Sequence, residues 1–326
     1  MSIRRVFLAA AMAAVGLVST GGAFAQAYPN KAINVIVSFP PGGDTDALAR
    51  VFAEKLAGRV GQSVIVENKP GASGTIGNSF VAKAPADGYT LLFTPNTFSI
   101  APLVLKAGSG AVYDPLNDFT PIILAGTQSL FVVTTAASGV TNLKDLVAAA
   151  KSGKVTTYGS PGSGSPMHIL GSMVNKSADV KINQVPYRGS GPAVIDLIGG
   201  HIPMMYTTLG PVAQHIASGK VINIGVADPK RSPLAPNVPT LAEAGIKDAD
   251  VGAWQGFMAP RGLPADIQRT LNAHFNEILK MPDVRERMNT LALIPAGGDP
   301  SELAKANIDH NSRFGKVIKE FNIQAD

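Results

Sequence analysis

Residues 33–50 read INVIVSFPPGGDTDALAR, and this stretch decides the fold class. The β-branched run at 33–38 predicts a strand, and the Pro-Pro-Gly-Gly turn after it leads into a helix that begins at 44–46. The two glycines leave the turn backbone uncovered, and a helix start presents unpaired N–H groups with a positive partial charge. The stretch therefore predicts an anion-binding loop, with a plain connecting turn as the alternative.

The same alternation of strand-like and helical segments continues to about residue 226. Strands separated by helices of about 10 to 15 residues favour an α/β fold with parallel-rich sheets. From residue 263 the pattern changes to amphipathic helices that begin at prolines, a residue suited to the first helical turn. Ligands of open α/β sheets bind beyond the carboxyl ends of the strands, so we expect the site in those loops.

The N-terminal segment has the pattern of an export signal. Arg4 and Arg5 precede an apolar run at 6–18, and Ala23-Phe24-Ala25 matches the small-residue motif before a cleavage site. We predict a signal peptide at 1–25 that is cleaved after Ala25; an uncleaved anchor or a buried helix is the alternative. The chain has no cysteine, hence no disulfide and no lipid-attachment site, and we expect a periplasmic protein, with secretion as the alternative.

The composition argues against several classes of function. The formal net charge is +5, of which the signal peptide carries two units. The sequence has no basic run with interleaved aromatic residues, so it does not indicate nucleic-acid binding. The five histidines form no metal-binding pair, and the G-x-S-x-G, G-x-G-x-x-G and Walker A motifs are absent. We therefore predict no metal, no cofactor and no catalytic residue. His168 either caps a helix start or belongs to a binding loop.

Five polar loops, three of them rich in glycine, are the candidate binding elements, at 40–46, 94–97, 159–166, 187–191 and 206–209. Hydroxyls, amides and uncovered backbone suit recognition better than bond cleavage, which needs a tuned proton shuttle. Two residues keep alternative roles. Asp46 either supports the helix start or contacts a ligand through water or an ammonium group. Arg188 either holds a second carboxylate or ties its loop to the protein surface.

Several motifs in one order also resemble a known family. They are Y-P-x-K-x-I (28–33), F-P-P-G-G-x-T-D (39–46), V-E-N-K-P-G-A-x-G (66–74), D-G-Y-T-L-L (87–92), G-S-G-S-P-x-H (162–168), Y-R-G-S-G-P-A-x-x-D-L-I-G-G (187–200), R-S-P-L-A-P-x-V-P-T-L-A-E-A-G (231–245) and W-x-G-F-x-A-P (254–260). They are distributed from residue 28 to residue 260, and the match as a whole covers essentially all of the chain after residue 25. The chain resembles the Bug family, the extracytoplasmic solute receptors of tripartite tricarboxylate transporters.

This resemblance implies a two-lobe periplasmic binding protein of the type II-like, Venus flytrap kind, with two crossovers between the lobes. Lobe 1 would hold 26–127 plus 253–326, and lobe 2 would hold 128–252. Such a receptor is a monomer that binds a small carboxylic acid in the inter-lobe cleft and delivers it unaltered to membrane permease subunits. The acid would be an aliphatic dicarboxylate, an aromatic acid or an amino acid. A sensor for a signalling partner and an exported hydrolase using Ser165 and His168 are the alternatives.

The resemblance also implies where the ligand binds. Backbone N–H groups, hydroxyls and ordered water would hold one carboxylate. This chain departs from the family at 206–208 and at 201–203, which leaves the distant end of the ligand open. With Arg188 added from its own loop, the predicted ligand-binding residues are Gly42, Gly43, Asp46, Asn96, Thr97, Gly164, Ser165, His168, Arg188, Tyr206, Thr207 and Thr208.

Overall fold

The computed structural model describes residues 28–105, 113–320 and 323–324 of the 326-residue chain. The signal peptide predicted at 1–25 lies outside the described residues. Lys31–Asp326 cluster as one compact unit, which contains all the elements below. No helix described here is both long and apolar enough to cross a membrane.

The strands and helices follow the predicted alternation. The strands are β1 (Ile33–Val37), β2 (Val64–Asn68), β3 (Thr90–Pro95), β4 (Phe119–Gln128), β5 (Phe131–Thr135), β6 (Thr157–Ser160), β7 (Asn183–Pro186), β8 (Met204–Thr207), β9 (Val221–Val226), β10 (Ala253–Pro260) and β11 (Ile294–Pro295). The helices are α1 (Asp44–Val60), α2 (Thr75–Ala82), α3 (Thr97–Val104), α4 (Leu143–Lys151), α5 (Pro166–Ala178), α6 (Ser190–Ile198), α7 (Ala213–Ala217), α8 (Ala265–Ile278), α9 (Pro282–Thr290) and α10 (Pro300–Glu320).

These strands form two sheets, which confirms the predicted α/β class. The first sheet has the order β11-β4-β10-β3-β1-β2, and the second has the order β7-β6-β8-β5-β9. The chain leaves the first sheet after β4 and returns to it at β10, so it crosses between the sheets twice. The boundaries predicted for the two lobes are not tested by this arrangement and stay a prediction.

Both sheets mix parallel and antiparallel pairs. β1 pairs in parallel with β2 and β3, and β6 pairs in parallel with β7 and β8. β10 runs antiparallel to β3 and β4, and β5 runs antiparallel to β8 and β9. The sequence pattern indicates neither β4 nor β10. In β10 the cause is burial along its whole length, which removes the alternation of polar and apolar residues that marks a strand.

Aromatic packing holds the strands of the first sheet against its helices. Phe257 of β10 stacks on Phe275 of α8 with ring centroids 4.1 Å apart, and Phe93 of β3 lies 4.5 Å from Phe257. All three rings are fully buried. Each buried aromatic side chain removes a large apolar area from water, which fixes β3 and β10 as neighbours in the centre of the sheet. This packing positions the loop after β3, which reaches the site.

Candidate functional site

A cleft lies where the loops that follow strands of both sheets meet. Its space is about 820 Å³, part of it open to solvent. The first sheet contributes residues after β1 and β3, the last residue of β4 and two residues of β10, whereas the second sheet contributes residues after β6, β7 and β8. Apart from β10, these are carboxyl ends of strands, where the fold predicts a ligand. The lining residues are Phe39, Pro40, Pro41, Gly42, Gly43, Asp44, Thr45, Pro95, Asn96, Thr97, Gln128, Pro161, Pro166, Met167, Arg188, Gly189, Ser190, Gly191, Pro192, Thr208, Ala253 and Gln255.

The lining combines apolar walls with a few polar groups. Six prolines, Phe39 and Met167 form apolar surface, while amides, hydroxyls and two charged side chains face the same space. This composition is typical of a small-molecule site, in which the apolar walls hold the carbon skeleton and the polar groups orient it. Six of the twelve predicted ligand-binding residues line the cleft: Gly42, Gly43, Asn96, Thr97, Arg188 and Thr208. Their contact with a ligand stays a prediction.

Asp44 brings a carboxylate into the cleft from the first turn of α1. Its Oδ1 accepts a hydrogen bond from the Thr45 N–H at 2.9 Å, and its Oδ2 accepts one from the Thr208 hydroxyl at 3.3 Å. Burial raises the pKa of Asp44, although these bonds and the Gln128 side chain offset part of the increase. Asp44 was inside the predicted loop but was not singled out, because the family resemblance leaves that position unspecified.

Asp46 has a structural role outside the cleft. Its carboxylate accepts hydrogen bonds from the Gly42 N–H at 3.0 Å, from Asn68 at 2.9 Å and from Arg50 at 2.9 and 3.1 Å. Burial opposes ionisation, but these donors outweigh it and hold the pKa of Asp46 below its usual value. Asp46 is absent from the cleft lining. The Gly42 N–H, expected to face a ligand, instead donates to Asp46 and fixes the loop.

Ser165 and His168 cap the start of α5. The Ser165 hydroxyl accepts from the His168 N–H at 3.2 Å, and the His168 ring accepts at Nδ1 from the Gly164 N–H at 3.1 Å. Both side chains are buried, and none of these three residues lines the cleft, which their neighbours Pro166 and Met167 reach instead. The arrangement matches the capping alternative. It also directs the Ser165 hydroxyl to the backbone, whereas a nucleophile would face a base.

Of the three residues predicted after residue 205, only Thr208 lines the cleft. Tyr206 and Thr207 belong to the buried strand β8, and Tyr206 packs edge-on against Tyr158 at 4.9 Å. Burial raises the pKa of Tyr206 well above its usual value. Arg188 lies in the loop between β7 and α6. Its side chain is exposed and makes no ion pair with the described residues.

Two buried glutamines of the cleft were missed by sequence reasoning. Gln255 of β10 donates through Nε2 to Oε1 of Gln128 at 3.1 Å, and Gln128 donates through its own Nε2 to the Leu291 carbonyl at 3.2 Å. Both lie on the long antiparallel strands that the pattern did not indicate, and no glycine-rich loop marks them. Gln255 could have been recognised as a polar residue within an apolar strand sequence, because a buried amide needs hydrogen-bond partners.

Two start points of helices face the cleft without a side-chain cap. Gly43 precedes α1 and Gly189 precedes α6, and neither helix start is capped by a side chain. In α1 the nearby carboxylates of Asp44 and Asp46 already accept from loop N–H groups. In α6 the cleft is lined by Arg188, Gly189, Ser190 and Gly191. The start of α6 therefore offers the more electropositive wall for an anion.

The two sheets, the two crossings and the cleft at the strand ends are shared with solved periplasmic binding proteins, among them BugD, on which the structure superposes with a TM-score of 0.84 and 32% identity. The structure superposes on Rpa4515 of R. palustris, solved with adipate, with a TM-score of 0.86, 31% identity and coverage of 92% of this chain and 100% of that one. It superposes on MatC of Rhodopseudomonas palustris, solved with bound malate, with a TM-score of 0.83, 30% identity and coverage of 89% and 100%.

The sequence comparisons identify the family. The model of the TctC family, the tripartite tricarboxylate transporter family receptor, matches residues 48–323. The chain is 35% identical to Protein BugT of Bordetella pertussis over 298 residues, which cover 91% of each chain. The chain therefore belongs to the tripartite tricarboxylate transporter receptor family, a family of periplasmic solute receptors. The resemblance to Bug proteins stated from the motifs is confirmed.

Proposed function

We propose that this protein binds a small carboxylic acid in the cleft, closes around it and delivers it unaltered to the permease subunits of a tripartite tricarboxylate transporter. The observation that carries the proposal is the cleft itself, which combines apolar walls with hydrogen-bonding groups from both sheets. The adipate and malate in the two related structures support a carboxylate as the ligand. Export with cleavage after Ala25, action as a monomer and the absence of enzymatic turnover belong to the same proposal.

The carboxylate would sit at the start of α6. The Ser190 hydroxyl, the first-turn N–H groups and the Arg188 guanidinium face the cleft there, and hydrogen bonds to a charged acceptor are stronger than neutral ones. Closure is favoured only by contacts that the ligand makes better in the closed form. Such contacts come from both sides of the cleft, with Thr97 after β3 on one side and Ser190 after β7 on the other.

A thermal-shift screen with aliphatic dicarboxylates, aromatic acids and amino acids tests this proposal. An acid present at about 100 times its dissociation constant should stabilise the protein by about 2.7 kcal/mol, which raises the melting temperature by several degrees. Recovery of the acid unchanged after incubation supports a receptor. A screen in which no acid shifts the melting temperature would contradict the proposal.

Gly43→Val provides the variant for the same screen. Gly43 has an ordinary φ of −79°, and a Cβ there meets nothing within 4 Å, so valine fits the backbone but projects into space at the cleft. The variant should keep the wild-type melting temperature without ligand and lose the shift with ligand. Gly58→Val, on the exposed side of the same helix and also without neighbours within 4 Å, is the matched control. Equal ligand shifts in both variants would place the binding site elsewhere.

A further inference from the structure

Asp44 places a carboxylate on the α1 side of the cleft. The Thr45 N–H, the Thr208 hydroxyl and the Gln128 side chain form hydrogen bonds with it, and all of these groups are neutral. Within the described part of the chain, no lysine, arginine or histidine forms an ion pair with Asp44. A partly buried carboxylate without a positive partner is costly, so a cationic group of the ligand would stabilise this wall of the cleft.

Gln255 adds a second acceptor whose orientation is fixed by its neighbours. The Leu291 carbonyl can only accept, so the Gln128 atom 3.2 Å from it is the amide nitrogen, and Oε1 of Gln128 faces Gln255. Gln255 must then donate through Nε2 at 3.1 Å, which leaves its Oε1 as the remaining acceptor. Gln255 is 1% exposed, lines the cleft, and its Oε1 has no hydrogen-bond partner in the described structure.

Gln128 connects the two acceptors. Its Oε1 accepts the hydrogen bond from Gln255 at 3.1 Å, and its side chain also forms a hydrogen bond with the Asp44 carboxylate. Asp44 and Gln255 both line the cleft. The two acceptors therefore lie in one region, on either side of Gln128.

We propose that this pair, the Asp44 carboxylate with Oε1 of Gln255, binds a protonated amine, so that the ligand is an amino-substituted carboxylic acid and Asp44 determines this specificity. A primary ammonium group has three donors and a positive charge, which suits an anionic carboxylate with an amide oxygen beside it. A second carboxylate at this wall would be repelled by Asp44. The inference rests on the proposed function, because it assigns the carboxylate of the ligand to the opposite wall at α6.

Matched pairs of acids with and without an amino group test this inference by calorimetry on the mature protein. Suitable pairs are L-aspartate and succinate, L-glutamate and glutarate, 4-aminobutyrate and butyrate, and L-leucine and 4-methylpentanoate. In at least one pair the amino acid should bind tenfold or more tightly than its partner. If the acids without an amino group bind as well or better, the specificity inference is wrong while the carboxylate receptor stands. If no acid of either kind binds, both proposals fail.

Asp44→Asn and Gln255→Met identify the residues responsible. Asp44→Asn should lower the affinity for the amino acid at least tenfold and leave that for the unsubstituted acid equal or higher. Gln255→Met keeps the side-chain length but lacks the acceptor, and should reduce the preference for the amino acid at least threefold. Asp309→Asn, exposed on α10, is the control and should bind as wild type does. An unchanged preference in a folded Asp44→Asn protein, verified by circular dichroism, would overturn the role of Asp44.

Discussion

The Thr208 hydroxyl donates a hydrogen bond of 3.3 Å to the Asp44 carboxylate, and this bond joins segments that follow strands of different sheets. Asp44 begins α1 after β1 of the first sheet, and Thr208 follows β8 of the second. The bond can form only while these two walls of the cleft are close together. In the closure that we propose, this bond would favour the closed form and thereby ligand binding.

Thr208→Val should weaken binding of whichever acid gives the largest thermal shift. Valine keeps the shape but removes the donor to Asp44, and loss of one hydrogen bond costs about 1 kcal/mol, or about fivefold in affinity. Calorimetry measures the change. Thr290→Val is the control, because the Thr290 hydroxyl donates to the Glu286 carbonyl of its own helix, at a distance of 3.0 Å. If the two variants bind equally well, the bond between Thr208 and Asp44 does not contribute to closure.

The predictable part of the site is the part carried by loops after parallel strands. The Pro-Pro-Gly-Gly turn, the loop after β3 and the loop before α6 were all identified from glycine, proline and hydroxyl residues between strand and helix patterns. Turn conformations favour these residue types, and the turn is formed by residues adjacent in sequence, so the pattern is visible locally. Gly42 illustrates this, since its φ of +88° lies in the region that favours glycine.

Side-chain direction was not predictable to the same degree. Asp44 and Asp46 are two residues apart in one helix start, yet Asp44 lines the cleft and Asp46 turns to Arg50 and Asn68. The choice depends on Asn68, which comes from another strand. Gln255 was missed for a related reason, because its polar role arises from long-range pairing of β10 with β3 and β4.

Asp46→Asn should destabilise the protein by about 2 kcal/mol or more. Asparagine keeps the size but cannot ionise, and its amide would face donors from Gly42, Arg50 or Asn68, so hydrogen bonds to a charged acceptor are lost. Chemical denaturation at neutral pH measures the change. Glu54→Gln, which removes an exposed ion pair with Lys55 on the same helix, is the control and should cost less than about 0.5 kcal/mol.

The stability lost in Asp46→Asn should depend on pH in a definite direction. The pKa of Asp46 is lower in the folded protein than the usual 3.8, so its stabilising contribution is fully present above that value. This contribution is lost as the pH falls through the folded pKa. The stability difference between wild type and Asp46→Asn should therefore shrink below about pH 4. A constant difference from neutral pH to pH 3 would contradict the network described for Asp46.

Gly164→Ala should destabilise the protein more than Gly153→Ala. The two glycines have nearly the same backbone, with φ of +75° and +76°, so both substitutions carry the left-handed strain of about 1 kcal/mol. A Cβ at Gly164 would lie 2.6 Å from Cγ2 of Val104 and 2.8 Å from Cα of Ala101, whereas at Gly153 it meets nothing within 4 Å. The excess, about 1–3 kcal/mol, reports overpacking between the loop and α3. Equal melting temperatures would show that this close approach is absent in solution.

The neutral form of His310 is hydrogen-bonded to Asn96, a residue that lines the cleft. Its Nδ1 lies 3.0 Å from Nδ2 of Asn96, which also donates to the Gly252 carbonyl, so Nδ1 must accept and the ring is neutral. Burial, helped by Arg313 and opposed by Asp309, lowers the pKa of His310 to about 4. The usual value is 6.5, and the unfolded chain therefore binds the proton first as the pH falls.

His310→Gln should remove part of the acid sensitivity of the fold. Between pH 6.5 and 4 the unfolded state binds more protons at His310, so wild-type stability falls as the pH is lowered, by at most about 3 kcal/mol. Glutamine can still accept from Asn96 but does not titrate, so its unfolding free energy should decline less over the same interval. Denaturation at pH 7, 5.5 and 4 measures both curves, and the exposed His201→Gln should follow wild type. Parallel curves for wild type and His310→Gln would mean that His310 is protonated in the folded protein, with Asn96 displaced from the position that it has beside the cleft.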